Sequence, residues 1–370
     1  MKRVIVSVSN DLATDQRVAR SCSLLHEMGF EVILIGRILP DSLPINREYK
    51  CIRFKLLFSK GAAFYAVLNI RLFWFLLFTK TDFLFSNDLD TLLPNFIISK
   101  LKRKPLIYDS HEYFTEVPEI QNRKFVKSVW KFIEKICLSR MKSMITVNES
   151  IANLFREKYS IEVNVVRNVP FKLLNERKSY RDELDLPIDK CIVILQGAGI
   201  NIDRGAEEAV EAMNLLENVI LLIVGNGDVV PLLKQKVINE KLDRKVFFMN
   251  KQPLNVLQKY TSSADIGLSL DKPLNINYEL SLPNKLFDYI QAGIAVIVSN
   301  LPEVAKIVTN YKTGIILEEL TPQAIANGID VLKSDTVLLN EYKNNSIIAA
   351  EILCWENEKQ ILEKLLQNFQ

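Results

Sequence analysis

The segment LSLPNKLFDYIQAG, residues 280–293, sets a lysine beside a helix start and an aspartate one turn inside it. Pro283 suits a first helical turn, Ser281 is a candidate cap and Gly293 supplies a C-terminal stop. Leu286 and Ile290, four apart, would face a core, which leaves Lys285 and Asp288 together on the other face. One reading is a surface ion pair. The other is a helix N-terminus with a cation beside it, which is what a bound phosphate needs. A second constellation lies upstream, in LQGAGINIDRGAEEAVEAM. Gly197 and Gly199 follow an apolar run, and Arg204-Gly205 opens a helix. Glycines admit close backbone approach, and an arginine there can make a forked contact with a diphosphate. The next apolar run ends in VGNGD, a turn built on Gly225, Asn226 and Gly227. The spacing is not GxGxxG, so no nicotinamide fingerprint is present.

The chain has two histidines. His26 falls near the end of a helical segment and reads as structural. His111, in PLIYDSHEYF, sits just past an apolar strand with Asp109 and Glu112 beside it, at a strand end where a cleft would lie. It is the candidate catalytic histidine.

These residues need a scaffold that brings strand ends together. Apolar runs such as VIVSVS, EVILIG, FLFSND, PLIYDS and SMITVN alternate with helix-period segments. The pattern breaks over 168–190 and resumes with CIVILQG, VILLIVG, KVFFMN, DIGLSL and AVIVSN. Such order implies parallel sheets with helices on both faces. The expected fold is therefore α/β, two Rossmann-like domains facing a central cleft. The glycine turns, Arg204, Lys285 and Asp288 then follow successive strand ends of the second domain, as a nucleoside diphosphate cradle would require.

Composition narrows the partners. Apolar residues make up 48% and charged residues 25% of 370, which describes a globular chain with room for two cores. Residues 1–170 carry 26 Lys and Arg against 17 Asp and Glu, whereas 171–370 carry 21 against 27. A basic half suits an anionic substrate or membrane surface. No nucleic-acid-binding signature accompanies it. Five scattered cysteines without CxxC argue against disulfides or zinc and for a reducing compartment. The opening MKRVIVSVSN lacks a signal-peptide stretch, so a cytoplasmic location is expected, with peripheral membrane contact. Two segments could make that contact: AAFYAVLNIRLFWFLLFTK (62–80) and NRKFVKSVWKFIEKI (122–136), which sets Lys124, Lys127, Lys131 and Lys135 at helical spacing.

Taken in order, the DQRV…LLHEMGFEV opening, YDSHE, RNVP, the Arg204-Gly205 turn, GNGD and SLPNKLFDYIQAG resemble the retaining GT-B-fold glycosyltransferases of the large family four. The resemblance covers nearly the whole chain. It implies an acceptor-binding domain over 1–170, a nucleotide-sugar domain over 171–347 and a segment 348–370 whose helix returns to the first. It implies that Asp288 grips the ribose hydroxyls while Arg204, Lys285 and the helix start at Asn284 hold the diphosphate. Gly199, Gly225, Asn226, Gly227, Glu279 and Ser281 complete the donor site, and His111 lies near the reaction centre. The leaving phosphate helps deprotonate the acceptor, and no metal or cofactor is called for. Two departures stand out. The first of the family's usual pair of glutamates is Leu280 here, with Glu279 one residue early. The usual first glycine loop is NDLATDQR, so Asp11, Asp15 and Arg17, with Glu112, are assigned to the acceptor. The implied function is transfer of a sugar from a nucleotide donor, of UDP or GDP type, to a glycan or lipid-linked acceptor. A nucleotide-sugar epimerase and a non-catalytic sugar-nucleotide-binding subunit are the alternatives.

Overall fold

The first unit is organised around strands too apolar to face water. The computed structural model describes residues 1–40, 42–173 and 177–369, so residues 174–176 of the expected linker lie outside it. The chain divides into two units, residues 1–168 with 358–370, and residues 169–357.

In the first unit the order is β1 (Arg3–Asp11), α1 (Gln16–Glu27), β2 (Glu31–Ile38), β3 (Lys50–Lys55), α2 (Gly61–Phe78), β4 (Phe83–Asn87) and α3 (Leu89–Lys102). There follow β5 (Leu106–Ser110), α4 (Pro118–Gln121), α5 (Lys124–Leu138), β6 (Ser143–Thr146), α6 (Glu149–Tyr159) and β7 (Glu162–Val165). The seven parallel strands lie in the order β3-β2-β1-β4-β5-β6-β7. Chain order reverses between β1 and β4: the crossover through α1 runs one way along the sheet and those through α2, α3, α5 and α6 the other, so α1 covers the face opposite to them. All five residues of β4 are buried, as a strand covered on both faces must be.

The second unit runs β8 (Cys191–Gly197), α7 (Ala206–Ala212), β9 (Val219–Gly225), α8 (Val230–Asn239), β10 (Val246–Met249), α9 (Leu254–Ser263) and β11 (Ile266–Ser269). It continues with α10 (Ile276–Glu279), α11 (Asn284–Ala292), β12 (Ala295–Ser299), α12 (Pro302–Tyr311), β13 (Gly314–Leu317), α13 (Pro322–Ser334) and α14 (Thr336–Ile352). Its six parallel strands order as β10-β9-β8-β11-β12-β13, with the reversal between β8 and β11. The buried run VILLIVG of β9 lies inside this sheet.

The last helix, α15 (Trp355–Gln367), starts in the second unit, and residues from Glu358 onward belong to the first. The return was expected at 348. It comes ten residues later because Ala349, Ala350 and Leu353 are buried in the second unit's core. Gln291 also donates to the carbonyls of Ala350 and Leu353. Beyond 358, Glu358 accepts from the backbone N–H and the Nε of Arg167, and Phe369 meets Phe83 with ring centroids 5.1 Å apart.

Candidate functional site

Each sheet gathers polar side chains at the carboxyl ends of the strands flanking its reversal point, where open α/β sheets bind ligands. In the second unit the anchor is Tyr289 of α11. Its ring lies against Gly267, where a Cβ would come within 2.4 Å of it. Its hydroxyl accepts from the Gln196 N–H and donates to the Leu268 carbonyl, tying α11 to β8 and β11. This buried bolt fixes the first turn of α11 at the reversal point.

Lys285 on that turn extends its Nζ to 3.0 Å from Oδ2 of Asp271, just past the end of β11. Arg204, from the loop after β8, brings Nη1 to 3.5 Å from Oδ1 of the same carboxylate. Asp271 is 3% exposed. Neither of its oxygens has a directed hydrogen bond, so the two cations hold it through charge alone. Arg204 also donates to the Tyr278 hydroxyl at 3.0 Å and stacks over that ring, 4.6 Å from its centroid. Lys285 therefore pairs with Asp271, and Asp288 is engaged elsewhere. Its Oδ2 accepts from Gln196 Nε2, whose amide oxygen accepts from Thr261 Oγ1 at 2.6 Å.

The helix start is open. Pro283 occupies the cap position of α11 and no side chain caps it. Ser281 was expected there, but its hydroxyl turns back to donate to the Tyr278 carbonyl. Asn284, the first helical residue, is exposed, so an anion could meet the positive end of the helix beside Lys285. Glu279 ends α10 and is solvent-exposed, with Leu280 as the capping residue after it.

The glycine turns need a partial correction. A Cβ on Gly225, whose φ is +142°, would sit 1.8 Å from the Gly197 carbonyl oxygen, and one on Gly227 1.9 Å from that of Ile200. Packing of the β8 and β9 loops alone demands glycine at both, so their type carries no ligand signal. Asn226 stitches the same loops: its carbonyl accepts from the Ile200 N–H and its side-chain oxygen from the Lys251 N–H. The atoms nearest to a Cβ on Gly199 are those of the Asn201 side chain, the closest at 3.6 Å, an ordinary contact distance.

In the first unit, His111 follows β5 and is clasped by β4. Its backbone N–H donates to Asp88 Oδ1 at 2.8 Å, and Nδ1 lies 3.2 Å from Oδ2 of that residue. Nε2 lies 3.2 Å from Asn87 Oδ1 and 3.5 Å from Asp109 Oδ2. Both ring nitrogens face oxygen acceptors, an arrangement that only the doubly protonated ring satisfies. Burial works against that charge, but the Asp88 and Asp109 carboxylates outweigh it and hold the imidazole pKa well above its ordinary value. Asp88 adopts φ 58° and ψ 164° to reach this position, a conformation costly for a side-chain-bearing residue.

Arg17 was assigned to an acceptor, and the structure corrects this. It is 5% exposed and forks onto Asp109 at 2.9 and 2.7 Å, with Nη1 on the Val166 carbonyl. Burial raises the Asp109 pKa, but Arg17 and His111 outweigh it and keep this carboxyl ionised well below the usual range. Asp11 and Asp15 are likewise occupied locally. Asp11 accepts from the Ala13 N–H, whereas Asp15 caps α1 through the Val18 N–H and accepts from Asn10. Glu112 is half-buried one residue after His111.

Sequence reading missed Asp88, Asp90, Asp271, Tyr278 and Gln196. Asp90, 4% exposed, accepts from Ser9 Oγ at 2.5 Å. Burial, joined by the like charge of Asp88, pushes its carboxyl up to about 7. Among the described residues, no group of three or more His, Cys, Asp or Glu could hold a metal ion.

This architecture is the GT-B fold, two Rossmann-like units with parallel sheets. Sucrose-phosphate synthase from Thermosynechococcus elongatus matches it with a TM-score of 0.82 at 16% identity, covering 100% of this chain and 99% of that one. Anabaena Alr3699/HepE, solved in complex with UDP, matches with a TM-score of 0.75 at 14% identity, covering 99% of this chain and 100% of its own. At the level of sequence, residues 177–348 match the family model for glycosyl transferases group 1, a segment lying within the second unit. The chain is 24% identical over 272 residues to a chitobiosyldiphosphodolichol beta-mannosyltransferase of Candida albicans. That alignment takes in 67% of this chain and 58% of the relative, so the chain spans less than two thirds of that protein's length. It is 23% identical over 308 residues, 78% of this chain and 74% of the relative, to an uncharacterized glycosyltransferase, MJ1069, of Methanocaldococcus jannaschii.

Proposed function

We propose that this protein is a retaining, metal-independent glycosyltransferase that moves a hexosyl group from a nucleotide sugar to a glycan or lipid-linked acceptor at the cytoplasmic side of a membrane, in surface polysaccharide or glycoconjugate synthesis. The observation that carries the proposal is the pair of cations, Arg204 and Lys285, converging on buried Asp271 beside the uncapped start of α11. A carboxylate without directed hydrogen bonds is a poor final partner for two cations. A diphosphate offers more oxygens and more charge, and the helix start adds backbone N–H groups.

In this reading Arg204, Lys285 and the α11 dipole stabilise the charge that builds on the leaving diphosphate. Asp288, steadied by Gln196, takes the ribose hydroxyls. His111 serves transfer as a cationic hydrogen-bond donor. Its Nε2, placed between Asn87 and Asp109, is the nitrogen assigned to a hydroxyl. Fixed as an imidazolium between two carboxylates, it cannot act as a general base at neutral pH, which fits a reaction in which the leaving phosphate accepts the acceptor's proton. HepE bound to UDP and a relative acting on a dolichol-linked glycan by its name support a nucleotide sugar and a lipid-linked acceptor.

The test is thermal stabilisation by UDP, GDP, ADP and their sugar conjugates, in chelator and in magnesium. A selective shift that survives chelator, and that Lys285→Ala and Arg204→Ala each diminish, supports the donor site. Absence of any shift overturns it. The configuration of the product's new anomeric bond, read by NMR, decides between retention and inversion. Exposed Glu279 and the leucine after it favour one other reading, a subunit that binds the nucleotide sugar without turnover. Nucleotide stabilisation with no donor hydrolysis or transfer would select that reading.

A further inference from the structure

The first unit has an apolar surface that its own fold leaves uncovered. The crossovers leading from β3 to β4, β5 and β6 all advance in one direction along the sheet, so right-handedness puts α2, α3 and α5 on the same face. The helices are neighbours: α3 packs against both α2 and α5, and Tyr65 of α2 meets Trp130 of α5 edge to face at 5.3 Å. The inner side of α2 is spoken for, since Phe64, Leu68, Leu72 and Leu76 are buried against the sheet. That anchoring excludes α2 from spanning a bilayer, although it is long and apolar enough and only 22% buried. Its outer side carries Trp74, 52% exposed, stacked on Phe78, 79% exposed. On α5 the outer ridge is Phe125, 82% exposed, and Phe132, 65% exposed, one heptad apart on one face.

Charge identifies the occupant. The only acidic residues in these three helices are Asp90 and Glu134, and both are buried. The exposed charges are all cationic, with Lys124, Lys131 and Lys135 forming a stripe along α5 beside its aromatic ridge. Lys131 also pairs with half-buried Glu116 at 3.1 Å. Two exposed aromatic ridges, the one on α5 edged by lysines, on helices without an exposed carboxylate of their own match an interface that is apolar in depth and anionic at its rim.

We propose that the α2–α3–α5 face seats on an anionic lipid bilayer, with α5 lying in the headgroup plane. This rests on the lipid-linked acceptor proposed above and names the surface that would bring the protein to it. The loop from His111 leads into α5, so the docking helix and the cationic histidine belong to one β5–β6 crossover.

The experiment uses the full chain and vesicles of phosphatidylcholine alone or with about a third phosphatidylglycerol. Of the three tryptophans, Trp130 and Trp355 are already buried, so Trp74 is the fluorescent reporter. Expected are cosedimentation with anionic vesicles, little with neutral ones, loss in high salt, and a blue shift of emission on binding. Lys124→Glu with Lys135→Glu should cut partitioning at least tenfold, at about one kcal/mol for each lysine lost and more on reversal. Trp74→Ser with Phe78→Ser should do likewise and abolish the blue shift. Binding indifferent to both pairs overturns the surface. So does a dimer in solution that the Trp74 and Phe78 changes dissociate, because the face would then belong to a second copy. Nucleotide stabilisation, measured without vesicles, keeps the two proposals apart. Retained stabilisation with no vesicle binding sinks only the surface, and the converse sinks only the transferase.

Discussion

Replacing Asp271 with asparagine separates what holds the cation pair in the free protein from what the pair is for. The side chain is buried, and Lys285 beside it has only 12% of its side chain exposed. Removing one partner of a fully buried pair costs about 3–5 kcal/mol because the other charge is stranded. Arg204, about a third exposed, can turn to solvent, so roughly 2 kcal/mol is the expected loss here. For a unit of this size, each kcal/mol moves the midpoint by about 2–4 °C, so Asp271→Asn should melt about 4–8 °C below the parent. A bound diphosphate would give Lys285 and Arg204 back their counter-charge. The gap should therefore shrink by half or more at saturating nucleoside diphosphate, equivalent to about fivefold tighter binding for each kcal/mol recovered. The assay is a melting curve for both proteins across a nucleotide titration. An unchanged midpoint without ligand would show that Asp271 does not hold the cations. A gap that stays constant up to saturation would show that the cations do not meet the diphosphate, and the donor-site argument would fall with it.

Three further outcomes follow from the first unit's chemistry. His111→Ala should lower turnover by roughly a hundredfold or more while nucleotide stabilisation stays within error; equal turnover would remove it from the mechanism. Because the folded imidazole pKa is raised, the histidine's stabilising contribution is complete below its ordinary pKa and fades as pH climbs through the higher folded value, a fade that urea melts from pH 6 to 10 should lose in the alanine variant. Asp90→Asn should match the parent below about pH 4 and exceed it by a margin that grows from there to about 4 kcal/mol above pH 8, since a carboxyl held protonated up to about 7 forgoes the ionisation that the unfolded chain gains from about pH 4 upward; parallel pH–stability curves would refute a buried protonated Asp90. Arg17→Leu should destabilise the unit by about 3–5 kcal/mol, because it strands Asp109; an arginine free to serve an acceptor would cost little.

The legible parts of this molecule are those written locally. Continuous apolar runs gave away the buried strands β1, β2, β4, β5, β8 and β9, because a parallel strand covered on both faces is mostly apolar, with its polar residues gathered towards the carboxyl end. The outer strands KCIRFK, EVNV and GIIL were not read, since each is only partly covered and lacks a continuous buried run. Lys285 and Arg204 were readable because a helix start and a glycine turn each have a sequence signature. Asp271 had none. Its importance arises where the end of β11 is laid beside the loop after β8, a pairing that chain order alone does not disclose. Asp11, Asp15 and Arg17 failed for the complementary reason: aspartates before a helix read equally as ligand groups or as turn and cap residues, and only the Val18 and Ala13 contacts decide. Asp88 combines both problems, since nothing in FSNDLD announces a backbone held at positive φ to reach a histidine on the next strand.

The interleaving of the two units along the chain sets an order of assembly. The second unit is one unbroken stretch, 169–357, whereas the first is completed only by residues from 358 onward. Glu358, 2% exposed, and the buried Leu362 and Leu366 are pieces of the first unit that a ribosome delivers after the whole of the second. During synthesis the earlier unit must wait with its Arg167 lacking Glu358 and its Phe83 lacking Phe369, while the later unit already has all its parts. The first half of the chain to be made is thus the last to be finished, and chaperone dependence should concentrate on the nascent sheet of residues 1–168 during that interval.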